Sequence, residues 1–139
     1  MIDRVLVPID GSEMATKALQ YAVGVHPDAE ITLLYVAGGP SPMMGKALQL
    51  SLESDLEEEA REMAGQVFAD ARAVVADSDA DIKTAVAVGN PSKQIVEFAE
   101  DYDAVVLGSH SSGLASRLYT GNVAKKVSSR APVPVTVVR

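Results

Sequence analysis

The sequence predicts an α/β fold in which helices cover both faces of a parallel sheet. Short runs rich in Val, Ile and Leu alternate with amphipathic helical patterns along the chain, in the order β-α-β-α-β-α-β-α-β. The strand runs are nearly continuous in apolar residues, which is typical of parallel strands buried on both faces. Because the connections are short, we expect a doubly wound α/β sandwich that forms one domain over residues 1–139.

The first half of the chain opens with a strand, a helix and a second strand. The β-rich run Arg4 to Ile9 stops at the turn-forming residues Asp10 and Gly11. Ser12 suits the N-cap of a helix that ends near Gly24. Ile31 to Val36 then forms a second buried strand, and a breaker-rich loop follows it.

One long helical pattern occupies residues 45–75, and an outer strand follows it. Apolar residues recur along this pattern at helical spacing: Leu48, Leu52, Leu56, Ala60, Met63, Ala64, Val67, Phe68 and Ala71. Ile82 to Val88 alternates partly between apolar and polar residues, as a strand with one wetter face would.

The remaining elements are marked by their caps and breakers. Gly89 to Pro91 is a helix-start signal, because Asn suits the N-cap and Pro tolerates the first helical position. Ala104 to Leu107 is a further strand. Asn122 can cap a last helix, which Arg130 to Pro132 ends.

The C-terminal strand, Val133 to Val138, predicts how the chain assembles. Its Pro134 favours an edge position, yet the strand carries no charge until Arg139. Such an edge invites a partner strand, so we expect a homodimer; the alternative is a monomer with a covered edge. The predicted dimer edge consists of Val133, Val135 and Val137.

Composition excludes several classes of function. With 19 acidic and 12 basic side chains the formal net charge is −7, the wrong sign for binding a nucleic-acid backbone. Aromatic residues make up 4% of the chain and Cys is absent, which leaves few stacking platforms and no thiolate chemistry. No apolar run approaches the roughly 18 residues of a membrane span. We expect a cytoplasmic protein that binds neither nucleic acid nor membrane.

The stretch from Gly108 to Val123 is the strongest candidate for a functional loop. It connects a strand to a helix, and ligands of open parallel sheets bind outside the carboxyl ends of the strands. Gly108 and Gly121 allow close backbone approach, Asn122 and Val123 offer helix N-terminal N–H groups, and Arg117 adds charge, as a phosphate cradle requires. Asp10, at a neighbouring strand end, can accept hydrogen bonds from a ribose hydroxyl or a base edge. The alternative is a loop that only turns the chain, with Asp10 forming a turn with Gly11.

Other chemistries lack their signatures. Neither Gly-x-x-x-x-Gly-Lys-Ser/Thr nor Gly-x-Gly-x-x-Gly occurs at the expected place. His26 and His110 are too isolated for a metal site. Ser109 and His110 are adjacent and usually point apart, so they do not predict a nucleophile and its base. We therefore expect no enzymatic turnover.

Four segments together resemble the universal stress protein family: 5–12, 88–91, 103–108 and 121–139. The resemblance implies a Rossmann-like sandwich of five parallel strands in the order 3-2-1-4-5, a dimer joined through the last strand, and a signalling or protective role in the stress response. In one subgroup it implies ATP binding through Gly, two residues, Gly, nine residues, Gly, then Ser or Thr. Here Gly108 and Gly121 occupy the first and third glycine positions of this motif. Ser111 occupies the second glycine position, and Asn122 holds the last position.

By this resemblance one group of residues lines the adenosine end of the pocket, namely Pro8, Ile9, Asp10 and Val36. The candidate residues for the phosphate end are Gly108, Ser109, His110, Ser111, Arg117, Gly121, Asn122 and Val123. The implied cofactor is ATP or another adenine nucleotide, with Mg²⁺ only when ATP is bound. Two alternatives stay open: a nucleotide-free interaction module of the same family, and a slow ATPase.

Overall fold

The computed structural model describes residues 1–38, 46–109 and 121–139, and within these ranges the side chains of all residues except 46–57 and 121–122. Strands and helices alternate in the described part of the chain. Their bounds are β1 Arg4–Pro8, α1 Glu13–Val25, β2 Glu30–Ala37, α2 Lys46–Val74, β3 Asp81–Val88, α3 Pro91–Ala99, β4 Ala104–Gly108, α4 Gly121–Arg130 and β5 Val135–Val138.

All strand pairs in the sheet are parallel, and the strand order is β3-β2-β1-β4-β5. The predicted α/β fold class and sheet order are therefore confirmed. β1 pairs with β2 from Arg4↔Glu30 to Pro8↔Leu34, and β4 lies on its other side with Leu6↔Val105 in register. Chain order therefore reverses between β1 and β4.

The strands bury both faces, which explains their uninterrupted apolar runs. Val5, Val7 and Leu33 point to one face and pack with Leu19 of α1 and Ala71 of α2. A second set of core residues packs on the opposite face against α3 and α4: Leu6, Leu34, Val36, Ile95, Val105, Leu107 and Val127. The result is a three-layer sandwich with α1 and α2 on one side and α3 and α4 on the other.

Side-chain caps fix the starts of α1 and α3 as the sequence predicted. The Ser12 hydroxyl accepts a hydrogen bond from the Ala15 N–H at 3.2 Å. Asn90 Oδ1 accepts one from the Lys93 N–H at 3.1 Å, and Pro91 occupies the first turn. Both caps satisfy amide groups that a helix start otherwise leaves unbonded.

Three details differ from the prediction. β5 begins at Val135 rather than Val133, because Pro132 and Pro134 supply no N–H to a ladder. Met63 is 60% exposed, so the buried stripe of α2 passes beside it through Ala60 and Ala64. α4 begins at Gly121, which places Asn122 inside the first turn rather than at the N-cap.

At the amino edge of the sheet, Asp103 ties β1 to the turn before β4. Its Oδ2 accepts hydrogen bonds from the backbone N–H groups of Asp3 at 2.9 Å and Arg4 at 3.0 Å. These two hydrogen bonds hold the pKa of Asp103 below its usual value, and the bond from the Asp3 N–H has the larger effect. This edge lies opposite the strand ends where the sequence places the candidate site.

Candidate functional site at the carboxyl ends of β1 and β4

The candidate site is built around the point where chain order reverses in the sheet. β1 ends at Pro8 and β4 ends at Gly108, and the two strands are neighbours. The connection after β1 turns to one face of the sheet, whereas the connection after β4 leads to α4 on the opposite face. Strand ends that diverge in this way open the crevice in which doubly wound sheets bind their ligands.

Asp10 is the buried acidic residue of this site. It is 5% exposed, and its Oδ1 accepts a hydrogen bond from the Ser12 N–H at 2.9 Å. Gly11 between them has a φ of 87°, a left-handed conformation that favours glycine. The predicted turn of Asp10 and Gly11 is thus present, and it holds the carboxylate at the end of β1.

Gly108 lies in tight contact with α1. A Cβ added at this residue would lie 2.8 Å from Met14 Cβ and 2.9 Å from the Met14 carbonyl oxygen. Carbon atoms in good contact are about 3.5–4.0 Å apart, so no side chain fits here unless α1 or the end of β4 moves. The close approach of β4 to α1 therefore requires glycine at residue 108.

Three of the predicted site residues meet around one small cavity. Its volume is about 10 Å³, enough for about one water molecule. Pro8, Asp10 and Gly108 line it together with Met14, and none of its lining residues is basic. The structure thus brings the start and the middle of the predicted site together, as the topology required.

The other two adenosine-end residues point to opposite faces of the sheet. Ile9 belongs to the core cluster on the α1–α2 face, and it lines a second cavity of about 50 Å³ with Val67 and Asp70 of α2. Val36 belongs to the cluster on the α3–α4 face and is fully buried. The side chains of Ile9 and Val36 therefore lie on different faces of the sheet.

Tyr35 is a polar group near the site that the sequence reading did not single out. It is 4% exposed and lies beside Val36 near the end of β2. Burial raises the pKa of the Tyr35 hydroxyl, and the negative charge of Asp10 raises that pKa further. The tyrosine is therefore held neutral close to the Asp10 carboxylate. The signal for it was a tyrosine near the end of a mostly apolar strand.

Ser109 extends the ladder between β4 and β5 rather than offering its amide to a ligand. Its N–H donates to the Val138 carbonyl at 2.8 Å. On the phosphate side, Val123 is buried in the α3–α4 core cluster near the start of α4. His110, Ser111 and Arg117 lie outside the described residues, and at the start of α4 only the backbone of Gly121 and Asn122 is described.

Within residues 1–38, 46–109 and 121–139, no group of three or more His, Cys, Asp or Glu side chains could hold a metal ion. None of the described helices is long and apolar enough to cross a membrane.

Comparison with known proteins identifies the family. The model of the universal stress protein family matches residues 1–139. A universal stress protein of Methanocaldococcus jannaschii is 29% identical over 140 residues, covering 98% of this chain and 81% of that protein. The solved structure of universal stress protein UspA from Lactobacillus plantarum superposes with a TM-score of 0.80 at 29% identity, covering 99% of this chain and 98% of that one.

Two further solved structures share the fold and carry ligands. A universal stress protein in complex with cAMP has a TM-score of 0.66 and 24% identity, with 99% of this chain and 97% of that chain covered. One from Archaeoglobus fulgidus in complex with dAMP has a TM-score of 0.65 and 20% identity, with 100% and 98% covered. At these identities the likeness shows the fold. With a family match over its whole length, this chain belongs to the universal stress protein family.

Proposed function

We propose that this chain binds an adenine nucleotide at the carboxyl ends of β1 and β4, without turning it over. The observation that carries the proposal is the buried Asp10 carboxylate, which is fixed by the Ser12 N–H beside Gly108 at the point where chain order reverses. A carboxylate is an acceptor for ribose hydroxyls and for the amino group of a base. The complexes of family members with cAMP and dAMP support the same class of ligand.

The phosphate groups would bind at the start of α4. The backbone N–H groups of a helix N-terminus and its dipole favour an anion there. No basic side chain lines the cavity next to Asp10. The positive charge would therefore come from Arg117, and Mg²⁺ would be needed only with ATP. This division keeps the phosphates away from the Asp10 carboxylate.

Native mass spectrometry of the purified protein, followed by calorimetric titration with ATP, cAMP and AMP, tests nucleotide binding. The variant Gly121→Val should abolish binding by crowding the backbone at the start of α4. Gly65→Val is the matched control, because a Cβ at Gly65 in α2 meets nothing within 4 Å. No bound nucleotide and no heat at high nucleotide concentration would refute the proposal and favour the nucleotide-free interaction module. Equal affinity of the two glycine variants would place the phosphates elsewhere.

We also propose that the chain forms a dimer through β5. The Val105 N–H donates to the Pro134 carbonyl and the Ser109 N–H to the Val138 carbonyl. Because backbone groups alternate sides along a strand, those of Val135 and Val137 face away from β4. In the described part of the chain nothing pairs with them. The predicted edge thus has the unpaired backbone groups that a second β5 needs, and Val133 adjoins it just before the strand.

The variant Val137→Pro removes one N–H from this free edge and should shift the sedimentation profile toward the monomer. Val137→Ala is the control, since it also loses core packing on the α3–α4 face but keeps the N–H. If both variants stay dimeric, or if the parent chain is a monomer, the β5 interface is wrong.

The biological role that follows is nucleotide-responsive signalling or protection in the cytoplasm. Absence of turnover is part of this proposal, so phosphate release from ATP should not exceed that of a heat-inactivated sample. Release above this level that is lost in Gly121→Val would establish the slow ATPase instead.

A further inference from the structure

A groove of about 410 Å³ lies on the outer surface between α3 and α4. Lys93 near the start of α3 and Lys126 and Arg130 of α4 line it. Val96 supplies apolar surface and Glu97 supplies one negative charge. The groove shares no lining residue with the cavity next to Asp10.

The charge of this groove is opposite to that of the protein. The chain carries a net charge of −7, yet α4 holds Lys125, Lys126 and Arg130 and no acidic residue. The ion pairs recorded among the described residues join Glu30 to Arg4 and Lys83 on the sheet. Neither Lys93, Lys126 nor Arg130 forms an ion pair with another described residue. The three exposed cations of the groove are therefore available to an anionic partner.

The arrangement of donors favours an extended acidic segment over a compact phosphate. Pro91 has no N–H, and the Lys93 N–H already donates to the Asn90 side chain, so the start of α3 offers a phosphate fewer amides than a helix terminus usually does. The three positive charges lie at the ends of long, exposed side chains and come from two helices. Carboxylates spaced along a chain can reach all three, while Val96 in the same groove can contact an apolar side chain.

We propose that the groove between α3 and α4 docks an acidic peptide segment of a partner protein, with carboxylates on Lys93, Lys126 and Arg130 and an apolar side chain on Val96. A second copy of this chain is the alternative occupant, because α2 exposes Glu58, Glu59 and Glu62. That contact would join surfaces on opposite sides of the sheet, so it would build a ring or an open filament rather than the dimer through β5 proposed above. An acidic segment of a different protein matches the charge of the groove without such an assembly.

Fluorescence anisotropy with a labelled peptide of alternating glutamate and leucine tests this proposal at low salt. Lys126→Glu should weaken binding by about fivefold or more, since it replaces an attractive charge pair with a repulsive one. Lys125→Glu is the matched control: it makes the same charge change at the adjacent exposed residue of α4, which does not line the groove. A peptide with glutamine in place of glutamate should not bind. Circular dichroism checks that both variants fold.

Several results would overturn the proposal. Absence of peptide binding, or equal weakening in Lys126→Glu and Lys125→Glu, would show that the groove is not the docking surface. Displacement of the peptide by tripolyphosphate at equal concentration would assign the groove to small anions. Self-association at low salt that Lys126→Glu alone abolishes would assign it to a second copy. Loss of peptide binding in Gly121→Val would place the peptide at the nucleotide site, so failure of one proposal remains distinguishable from failure of the other.

Discussion

Substitution of Gly108 by alanine should destabilise the fold even in the absence of any nucleotide. The added Cβ would lie 2.8 Å from Met14 Cβ, 2.9 Å from the Met14 carbonyl oxygen and 3.0 Å from its carbonyl carbon. Two of these atoms belong to the backbone of α1, so rotation of the Met14 side chain cannot relieve the contact. Either α1 or the end of β4 must move by roughly half an ångström or more to restore carbon–carbon distances of about 3.5 Å.

Overpacking of this kind costs about 1–3 kcal/mol in free energy of unfolding. With a urea slope of about 2 kcal/mol/M, the unfolding midpoint of Gly108→Ala should fall by roughly 0.5–1.5 M. Gly65→Ala is the control: its Cβ meets nothing within 4 Å, and alanine in a helix interior should stabilise by about 0.5–1 kcal/mol. Shortening Met14 to alanine in the Gly108→Ala background should not rescue stability, because the backbone contacts remain. An unchanged midpoint for Gly108→Ala would refute the packing argument.

Two further predictions concern Ser12 and Asp103, whose side chains accept hydrogen bonds from backbone N–H groups. Ser12→Ala should lower the free energy of unfolding by about 1 kcal/mol, because the Ala15 N–H loses its acceptor, and urea unfolding measures this loss; Ser12→Asn, which keeps a cap, should lose much less. Asp103 has a lowered pKa in the folded protein, so its stabilising contribution is fully present above its unfolded pKa of about 3.9 and is lost as the pH falls through the lower folded value. The melting temperature of Asp103→Asn should therefore lie below that of the parent chain at neutral pH and approach it in acid, whereas the exposed control Asp101→Asn should show no such convergence.

The sheet and its helices could be predicted because their causes are local in sequence. Ser12 and Asn90 indicate helix starts because their side-chain oxygens can accept hydrogen bonds from free backbone N–H groups. Both caps form as expected. The apolar runs of the central strands report burial on two faces directly. The start of β5 depends on which residues can pair with β4. The apolar pattern predicted a strand from Val133, but the neighbouring prolines delay its start to Val135.

Much of the site depends on contacts between residues distant in sequence, which periodicity does not encode. Ile9 and Val36 both sit at strand ends, but the pleat directs their side chains into different core clusters. The proximity of Tyr35 to Asp10 likewise depends on how β2 lies beside β1. Met14 gave no signal at all, since a methionine on the inner face of a helix reads as ordinary core.

The contact between Gly108 and Met14 also changes which residues bear on nucleotide binding. Gly108 is the first glycine of the motif that the family resemblance supplies, and a glycine there fits a phosphate-binding loop. The same glycine is required by the packing of α1 against β4, with or without a ligand. Its presence therefore does not discriminate a nucleotide-binding chain from a nucleotide-free one.

Discrimination rests on Ser111 and Asn122, where this sequence departs from the motif. Titration of ATP into the Ser111→Gly and Asn122→Ser variants and into the parent chain is the comparison that separates the two functions. Tighter ATP binding in both variants than in the parent chain would show that the site is present and that Ser111 and Asn122 weaken it. No ATP binding in either variant would assign the chain to the nucleotide-free interaction modules of the family.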